Sequence, residues 1–358
     1  MDFKAYGFFP PAPQWLPERD MPDQTGRVFV VTGANTGIGR EIARGLLLRG
    51  AKVFAACRSK ERAAEAIDTL KRETGRDAIH FLQVDLASIK ATVATAEAFV
   101  ASEDRLDGLI NSAGVSATPA HWKTEDGIEL QFGTNVVGHF ALTMALLPLL
   151  KQTAKAQGPG EVRIVHVASS MHFIQQDKRG IFYEGLRSDG VGKNKRSGTI
   201  LYGQSKLGNI HVSNRLAEVL RDDGILNLSL HPGNITTELL RHRSKLERWI
   251  IGPILYPTPM GAVTPLYAAT AQELTMEHTG GYLVPWARLY HTTHPKAQDK
   301  QAIDATWAFC DEAVRSVTKA EVTTAATTAT TTTTTTTTTQ ATPAGTETGT
   351  GAGAEASK

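Results

Sequence analysis

Only two cysteines, Cys57 and Cys310, occur in the 358 residues, and neither lies in a CxxC or Cys/His spacing. A disulfide framework is excluded, a reducing compartment is the default and no metal centre is expected. His291 and His294, the nearest approach to a ligand pair, read as ordinary loop residues. Charge of one sign is also missing: 38 basic side chains stand against 36 acidic ones, for a net charge of +2. That balance leaves no electrostatic footprint for nucleic acid. Long hydrophobic runs are absent as well. ALTMALLPLL, from Ala141, is too short to span a bilayer, and the opening MDFKAYGFFPPAPQW holds no continuous apolar signal region. No transmembrane segment is expected, and the expected location is cytoplasmic.

What is present is the composition of a globular protein, 41% hydrophobic and 21% charged, which is enough to bury a sizeable core. The two ends differ from the middle. Five prolines lie between Pro10 and Asp23, so residues 1–24 read as an extended arm laid on the body as structural padding. After Val317 the chain becomes threonine, alanine and glycine, including TTTTTTTTT from Thr331. Such a segment has little to bury against the entropy of ordering it, so residues 316–358 are expected to be a disordered tail.

Between the ends, apolar β-branched stretches (RVFVVT, KVFAA, IHFLQV, LDGLIN, RIVHVA, ILNLSL) alternate with helical ones. Buried parallel strands have this pattern. It predicts an α/β fold: one doubly wound parallel sheet with helices on both faces. No linker interrupts it, so residues 25–315 are expected to form one domain.

The turn TGANTGIG, Thr32 to Gly39, raises the question of a phosphate cradle. A Walker loop needs Lys then Ser or Thr after its last glycine, whereas Arg40 and Glu41 follow Gly39. A dinucleotide turn needs glycines for the bend, for close pyrophosphate approach and for packing the helix on the strand, and Gly33, Gly37 and Gly39 suit these tasks. Asn35, Thr36 and Ile38 lie in the same turn. At the end of the second strand an NAD-selecting enzyme places Asp or Glu; here Cys57 and Arg58 stand instead. A guanidinium there fits the 2′-phosphate of NADP(H), with Arg40 as an assistant, although Arg58 could simply cap the following helix. Asp85 and Leu86 follow the third strand, and Asn111, Ala113 and Gly114 the fourth, where the adenine and ribose half of a ligand would lie. Asp85 also reads as an N-cap for the helix beginning near Ser88.

Tyr202 and Lys206 stand four residues apart and so share a helix face. A phenol titrating near ~10 is a poor base at neutral pH, and an adjacent ammonium brings it into range. Ser169 and Ser170 end the preceding strand; Ser170 is the choice for a hydroxyl that steadies a substrate oxygen.

These residues together resemble the short-chain dehydrogenase/reductase family. Thr32 to Gly39 matches its TGxxxGIG, Asn111 to Gly114 its NNAG with Ser112 in place of the second Asn, and Tyr202 to Lys206 its YxxxK. The resemblance, over about residues 25 to 290, implies a Rossmann fold and a catalytic tetrad of Asn135, Ser170, Tyr202 and Lys206. Asn135 would hold a water for proton relay, and Tyr202 and Lys206 would also bind cofactor. It also implies that HPGNITT supplies Pro232, Gly233, Ile235 and Thr237 to the nicotinamide. ANTGIGR, ACRS, NVVGHF, VASSMH, SKLGN and HPG look most like the retinol dehydrogenase and WW-domain oxidoreductase branch. The implied reaction is hydride transfer between NADP(H) and a lipophilic alcohol or carbonyl compound. An apolar lid, RWIIGPILYPTPM from Arg248, would cover the substrate; Trp249, Ile250, Ile251 and Leu255 equally suit a core or an oligomer contact. The long segment between Ser170 and Tyr202 is expected as an irregular flap at the substrate mouth. Homodimers and homotetramers are both compatible with the sequence. The rival readings are a non-catalytic NADP-binding sensor or scaffold of the same fold, and a sugar-nucleotide epimerase, whose glycine spacing differs.

Overall fold

Each of the six apolar stretches forms a strand: β1 Val28–Thr32, β2 Lys52–Cys57, β3 Ile79–Gln83, β4 Gly108–Asn111, β5 Arg163–Val167 and β6 Leu226–Leu230. The computed structural model describes residues 9–174, 180–187, 189–191, 196–236, 255–290 and 294–333. The strands pair in parallel in the order β3-β2-β1-β4-β5-β6. Two strands of three residues each extend the sheet: β7 Tyr282–Val284, parallel to β6, and β8 Arg288–Tyr290, antiparallel to β7. They are too short to show a period of their own in the sequence.

Alternate residues of the strands divide between two cores. Val28 and Val30 of β1 join Phe54, Leu109 and Ile164 on one face, together with Phe99, Leu142 and Leu207 from the helices Ile89–Ser102, His139–Gln157 and Gly198–Val219. Phe29 and Val31 join Val53, Ile110, Val165 and Leu228 on the other, under the helices Gly37–Leu48, Lys60–Thr74 and Met260–Thr270. Each fully buried aliphatic side chain contributes roughly 1.5–3 kcal/mol, which is why β1 is apolar on both faces; β6 alternates, with Leu226, Leu228 and Leu230 in the second core and Asn227 and Ser229 opposite. Gly45 brings two helices of the second face together: a Cβ there would lie 2.6 Å from Cδ1 of Leu266.

The run Leu130–Gln157 is continuous helix over 28 residues, longer than its apolar stretch alone suggests; an 18-residue stretch of it reaches a mean hydropathy of 1.4, but 72% of that stretch is buried inside the protein. Its apolar character is explained by its place in the first core.

The arm lies on the body. Trp15 meets Tyr267 edge-on at 5.4 Å, Met21 is buried, and Arg49 Nη2 donates to the carbonyls of Pro17 and Glu18 at 2.9 and 2.8 Å. It is not wholly extended: Pro17–Asp20 is one helical turn, with proline at the first position, where its missing N–H costs nothing. A compact unit spans Met1–Val317. The helix Lys300–Thr333 carries helical backbone into the segment expected to be disordered, and the rest of that segment lies outside the described residues.

Candidate active site

The sheet order reverses between β1 and β4, and ligands of such sheets bind beyond the carboxyl ends of the strands at that point. A cleft of about 710 Å³ opens there. From Thr32 the chain turns through Gly33 (φ +72°) and Gly37 (φ +54°) into the helix Gly37–Leu48. Gly39 is the tightest point, since a Cβ would sit 2.5 Å from the Gly33 oxygen and 2.8 Å from its carbon, both backbone atoms. Removing these side chains seats the helix N-terminus on the strand, with its first N–H groups toward the cleft. Gly33, Asn35, Thr36, Gly37, Ile38 and Gly39 all line it.

Beyond β2, Cys57 and Arg58 line the cleft with Ser59 and Arg62. Burial pushes the Cys57 thiol up to about 11, so it is neutral. Ser59, not Arg58, caps the helix Lys60–Thr74, its hydroxyl accepting from Arg62 N at 3.3 Å. Arg58 is thereby left exposed at the mouth. Arg40 is absent from the lining, and its guanidinium is paired with Glu41 and Glu73 at 2.9 and 2.5 Å.

Asp85 and Leu86 line the cleft. Asp85 is not the N-cap; its carboxylate accepts from Ala87 N at 3.0 Å, while Ser88 caps the helix Ile89–Ser102 through Ala91 N. Ala113 and Gly114 also face the cleft, but Asn111 does not. Its side chain turns into the core, donating to Thr143 Oγ1 at 3.1 Å. The reason is its parity: Asn111 is the last residue of β4, paired with His166, and faces the helix His139–Gln157.

Three of the four catalytic candidates, Ser170, Tyr202 and Lys206, line the cleft, and Asn135 is buried behind it. Tyr202 and Lys206 lie on Gly198–Val219, a helix capped by Ser197 and buried along most of its length. Both line the cleft, and Lys206 Nζ is 5.6 Å from the Tyr202 ring centroid. Lys206 donates to Val167 O at 2.8 Å, and burial brings its ammonium down to about 7. Ser170 is buried at the cleft wall; Ser169, also in the wall, accepts from Met171 N at 3.2 Å through its hydroxyl oxygen.

Asn135 sits in a π-helical turn, Gly133–Gly138, between the helices Leu130–Phe132 and His139–Gln157. Its Oδ1 accepts from Val115 N at 2.9 Å, and its Nδ2 donates to Val115 O at 3.0 Å and Ser205 Oγ at 2.9 Å. Ser205 in turn donates to Tyr202 O at 2.8 Å. One amide thus ties the loop after β4 to the helix of Tyr202. Gly114 leaves room for it, since a Cβ there would lie 3.1 Å from Asn135 Oδ1.

Pro232, Gly233 and Ile235 line the cleft after β6. Thr237, Trp249, Ile250 and Ile251 lie outside the described residues, while Leu255 lines the cleft and Tyr256 N donates to Asn234 O at 2.7 Å. The described middle of the expected flap is anchored rather than draped: Phe182 N donates to Gln204 Oε1 at 2.8 Å, Tyr183 reaches Thr306 at 2.7 Å and Leu186 is buried. Sequence reasoning missed Ser59, Arg62, Thr118, Trp122, Met171 and Thr199 in the lining. For Thr199 a signal existed, because 199, 202 and 206 follow the i, i+3, i+7 stripe of one helix face.

Residues 27–183 match the short chain dehydrogenase family. The chain is 43% identical over 281 residues to a short-chain dehydrogenase/reductase of Armillaria gallica, covering 78% of this chain and 88% of that one. It is 35% identical over 284 residues to mouse retinol dehydrogenase 12, covering 79% and 84% of the two chains. Among solved structures, an uncharacterized protein of Mycobacterium paratuberculosis superposes with a TM-score of 0.64 at 29% identity, covering 84% of this chain and 97% of that one. The Pseudomonas aeruginosa RhlG/NADP complex does so with a TM-score of 0.57 at 26% identity, covering 74% and 96%. With the glycine turn, the YxxxK pair and relatives of this extent in agreement, the chain belongs to the short-chain dehydrogenase/reductase family, in its retinol dehydrogenase-like branch.

Proposed function

We propose that the protein is an NADP(H)-dependent oxidoreductase that interconverts a lipophilic alcohol and its ketone or aldehyde, with residues 25–315 as the catalytic domain. The observation that carries the reading is the meeting of Tyr202, Lys206 and Ser170 in the wall of one cleft whose lining also includes Arg58. The residues fit the cofactor: Gly33 and Gly39 leave no room for a Cβ where the backbone must approach a pyrophosphate, and a cation replaces the carboxylate that would repel a 2′-phosphate. Arg58, with Ser59 and Arg62, would hold that phosphate; Asp85, Leu86, Ala113 and Gly114 the adenosine half; Pro232, Gly233 and Ile235 the nicotinamide end. The RhlG complex, with NADP in its active site, supports this cofactor.

When bound, the nicotinamide exchanges hydride with the substrate carbon. Ser170 donates a hydrogen bond to the substrate oxygen, and the phenol of Tyr202 gives or takes its proton. The Lys206 ammonium beside Tyr202 favours the phenolate. Asn135 holds the Tyr202 helix in register through Ser205. The neighbouring wall, with Val115, Thr118, Trp122, Leu130, Met171 and Leu255, carries no ionised side chain, which suits an uncharged apolar substrate. Kinship with retinol dehydrogenase 12 supports that class.

The test is NADPH consumption against a panel of lipophilic ketones and aldehydes, wild type beside Tyr202→Phe. Turnover lost only in the variant supports the reading. If both bind NADPH equally and neither consumes it with any substrate, the sensor or scaffold reading replaces it. We also propose a cytoplasmic location, favoured by two buried free thiols, and a homodimeric or homotetrameric assembly; cell fractionation and light scattering check them.

A further inference from the structure

His139 is fully enclosed, and the catalytic scheme above does not use it, yet both its ring nitrogens are engaged. Nδ1 lies 2.9 Å from the carbonyl oxygen of Asn135, and Nε2 lies 2.9 Å from Thr32 Oγ1. A carbonyl oxygen can only accept, so Nδ1 carries the proton. Burial lowers the imidazole to about 4, so the ring is neutral and Nε2 is an acceptor. The Thr32 hydroxyl therefore donates to Nε2, and its oxygen accepts the backbone N–H groups of Ser112 and Ala113 at 2.8 and 2.9 Å.

The π-helical turn gives this chain a purpose. In regular α-helix the Asn135 carbonyl would receive the N–H of His139, but here that N–H bonds Val136 O. The imidazole of the same residue reaches the carbonyl instead. Gly138 makes the shift feasible, because a Cβ there would overlap the Leu86 carbonyl in the cleft wall. The result is one run of hydrogen bonds from the Ser112–Ala113 backbone, through Thr32 at the root of the glycine turn, to the Asn135 backbone. The Asn135 side chain continues that run to Ser205 and the Tyr202 helix.

We propose that His139 is a positioning residue whose Nδ1–H tautomer locks the Asn135 carbonyl and the π-helical turn to the glycine turn, holding the cofactor cradle and the Tyr202 helix in one register. This rests on the proposed oxidoreductase activity. His139→Phe removes both bonds at similar volume; His139→Asn restores a donor where Nδ1 stood; His139→Gln restores an acceptor where Nε2 stood. With an active wild type, His139→Phe lowers kcat at least tenfold while the KM of the carbonyl substrate and the Kd of NADPH, read by fluorescence, change less than threefold. His139→Asn recovers most of the loss and His139→Gln little. Independently of turnover, imidazole ¹⁵N shifts of the apo protein at neutral pH show His139 protonated on Nδ1. An Nε2–H tautomer, a His139→Phe kcat within twofold of wild type, or equal kcat for the Asn and Gln variants overturns the proposal. Should His139→Phe not fold, the Asn and Gln pair with the ¹⁵N measurement decides. A wild type that consumes no NADPH is a failure of the oxidoreductase reading instead, and the ¹⁵N result still judges the tautomer.

Discussion

Replacing Lys206 by Met separates what the site needs from what the fold needs. The ammonium is buried and brought from 10.5 to about 7 by desolvation. At roughly 1.4 kcal/mol for each tenfold change in proton affinity, that is on the order of 5 kcal/mol of strain held by the folded state. Two effects reduce it: Lys206 lines an open cleft that water can enter, and the lost donor leaves Val167 O without its 2.8 Å partner, worth about 1–2 kcal/mol. The net expectation is that apo Lys206→Met is more stable than wild type by about 2 kcal/mol at neutral pH. The sign over pH follows from linkage. A folded-state pKa below the unfolded one means that the unfolded chain binds the extra proton between about 7 and 10.5, so wild-type stability rises with pH across that window. The advantage of Lys206→Met therefore holds in full at and below about 7, shrinks by about 1.4 kcal/mol per pH unit above it, and reverses at about pH 8.5 as the bare Val167 carbonyl takes over. Urea unfolding of both apo proteins across this range measures the difference, in which other titrating groups cancel. Turnover should fall at least a thousandfold. A variant less stable than wild type at neutral pH, or a gap independent of pH, refutes the assignment of Lys206 as a desolvated cation.

Three other substitutions follow from single contacts. Gly39→Ala places a methyl 2.5 Å from the Gly33 oxygen, so NADPH affinity by fluorescence titration should fall at least tenfold as the turn opens. Arg58→Asp should lower the preference for NADPH over NADH at least tenfold, seen in the ratio of kcat/KM, because it exchanges the exposed cation for the carboxylate of an NAD site. Ser170→Ala should cost about a hundredfold in kcat and Ser169→Ala less than threefold, since the proposed scheme gives the donor role to Ser170; steady-state kinetics of the pair distinguishes them.

Much of this was legible in the sequence because parallel strands buried on both faces are rich in apolar residues, as β1, β2 and β4 are. β7 and β8 escaped because three residues cannot display a period. The glycine turn was legible for a related reason: only backbone geometry dictates glycine at positions 33, 37 and 39, and the left-handed φ of the first two and the Cβ clash at the third agree. Side-chain direction was harder. Asn111 lies in a motif that reads as cofactor contact, yet the pleat turns it into the core, where it serves Thr143. Asp85 and Arg58 read as caps, but serines take the role, Ser88 three residues on and Ser59 next in the chain, because each helix starts later than the sequence reading places it.

The least legible feature is the π-helical turn, and it explains the rest of the centre. One register change at Gly133–Gly138 is invisible to a 3.6-residue pattern, since the flanking helices keep their apolar faces. It turns the Asn135 amide toward Val115 and Ser205 while His139 claims the Asn135 carbonyl. The turn fits its place only because Gly133 and Gly138 accept contacts with Thr124 and Leu86 that any side chain would prevent. If Tyr202 is the acid/base proposed, glycine at those two positions is a requirement of the reaction as well, although neither glycine touches the substrate.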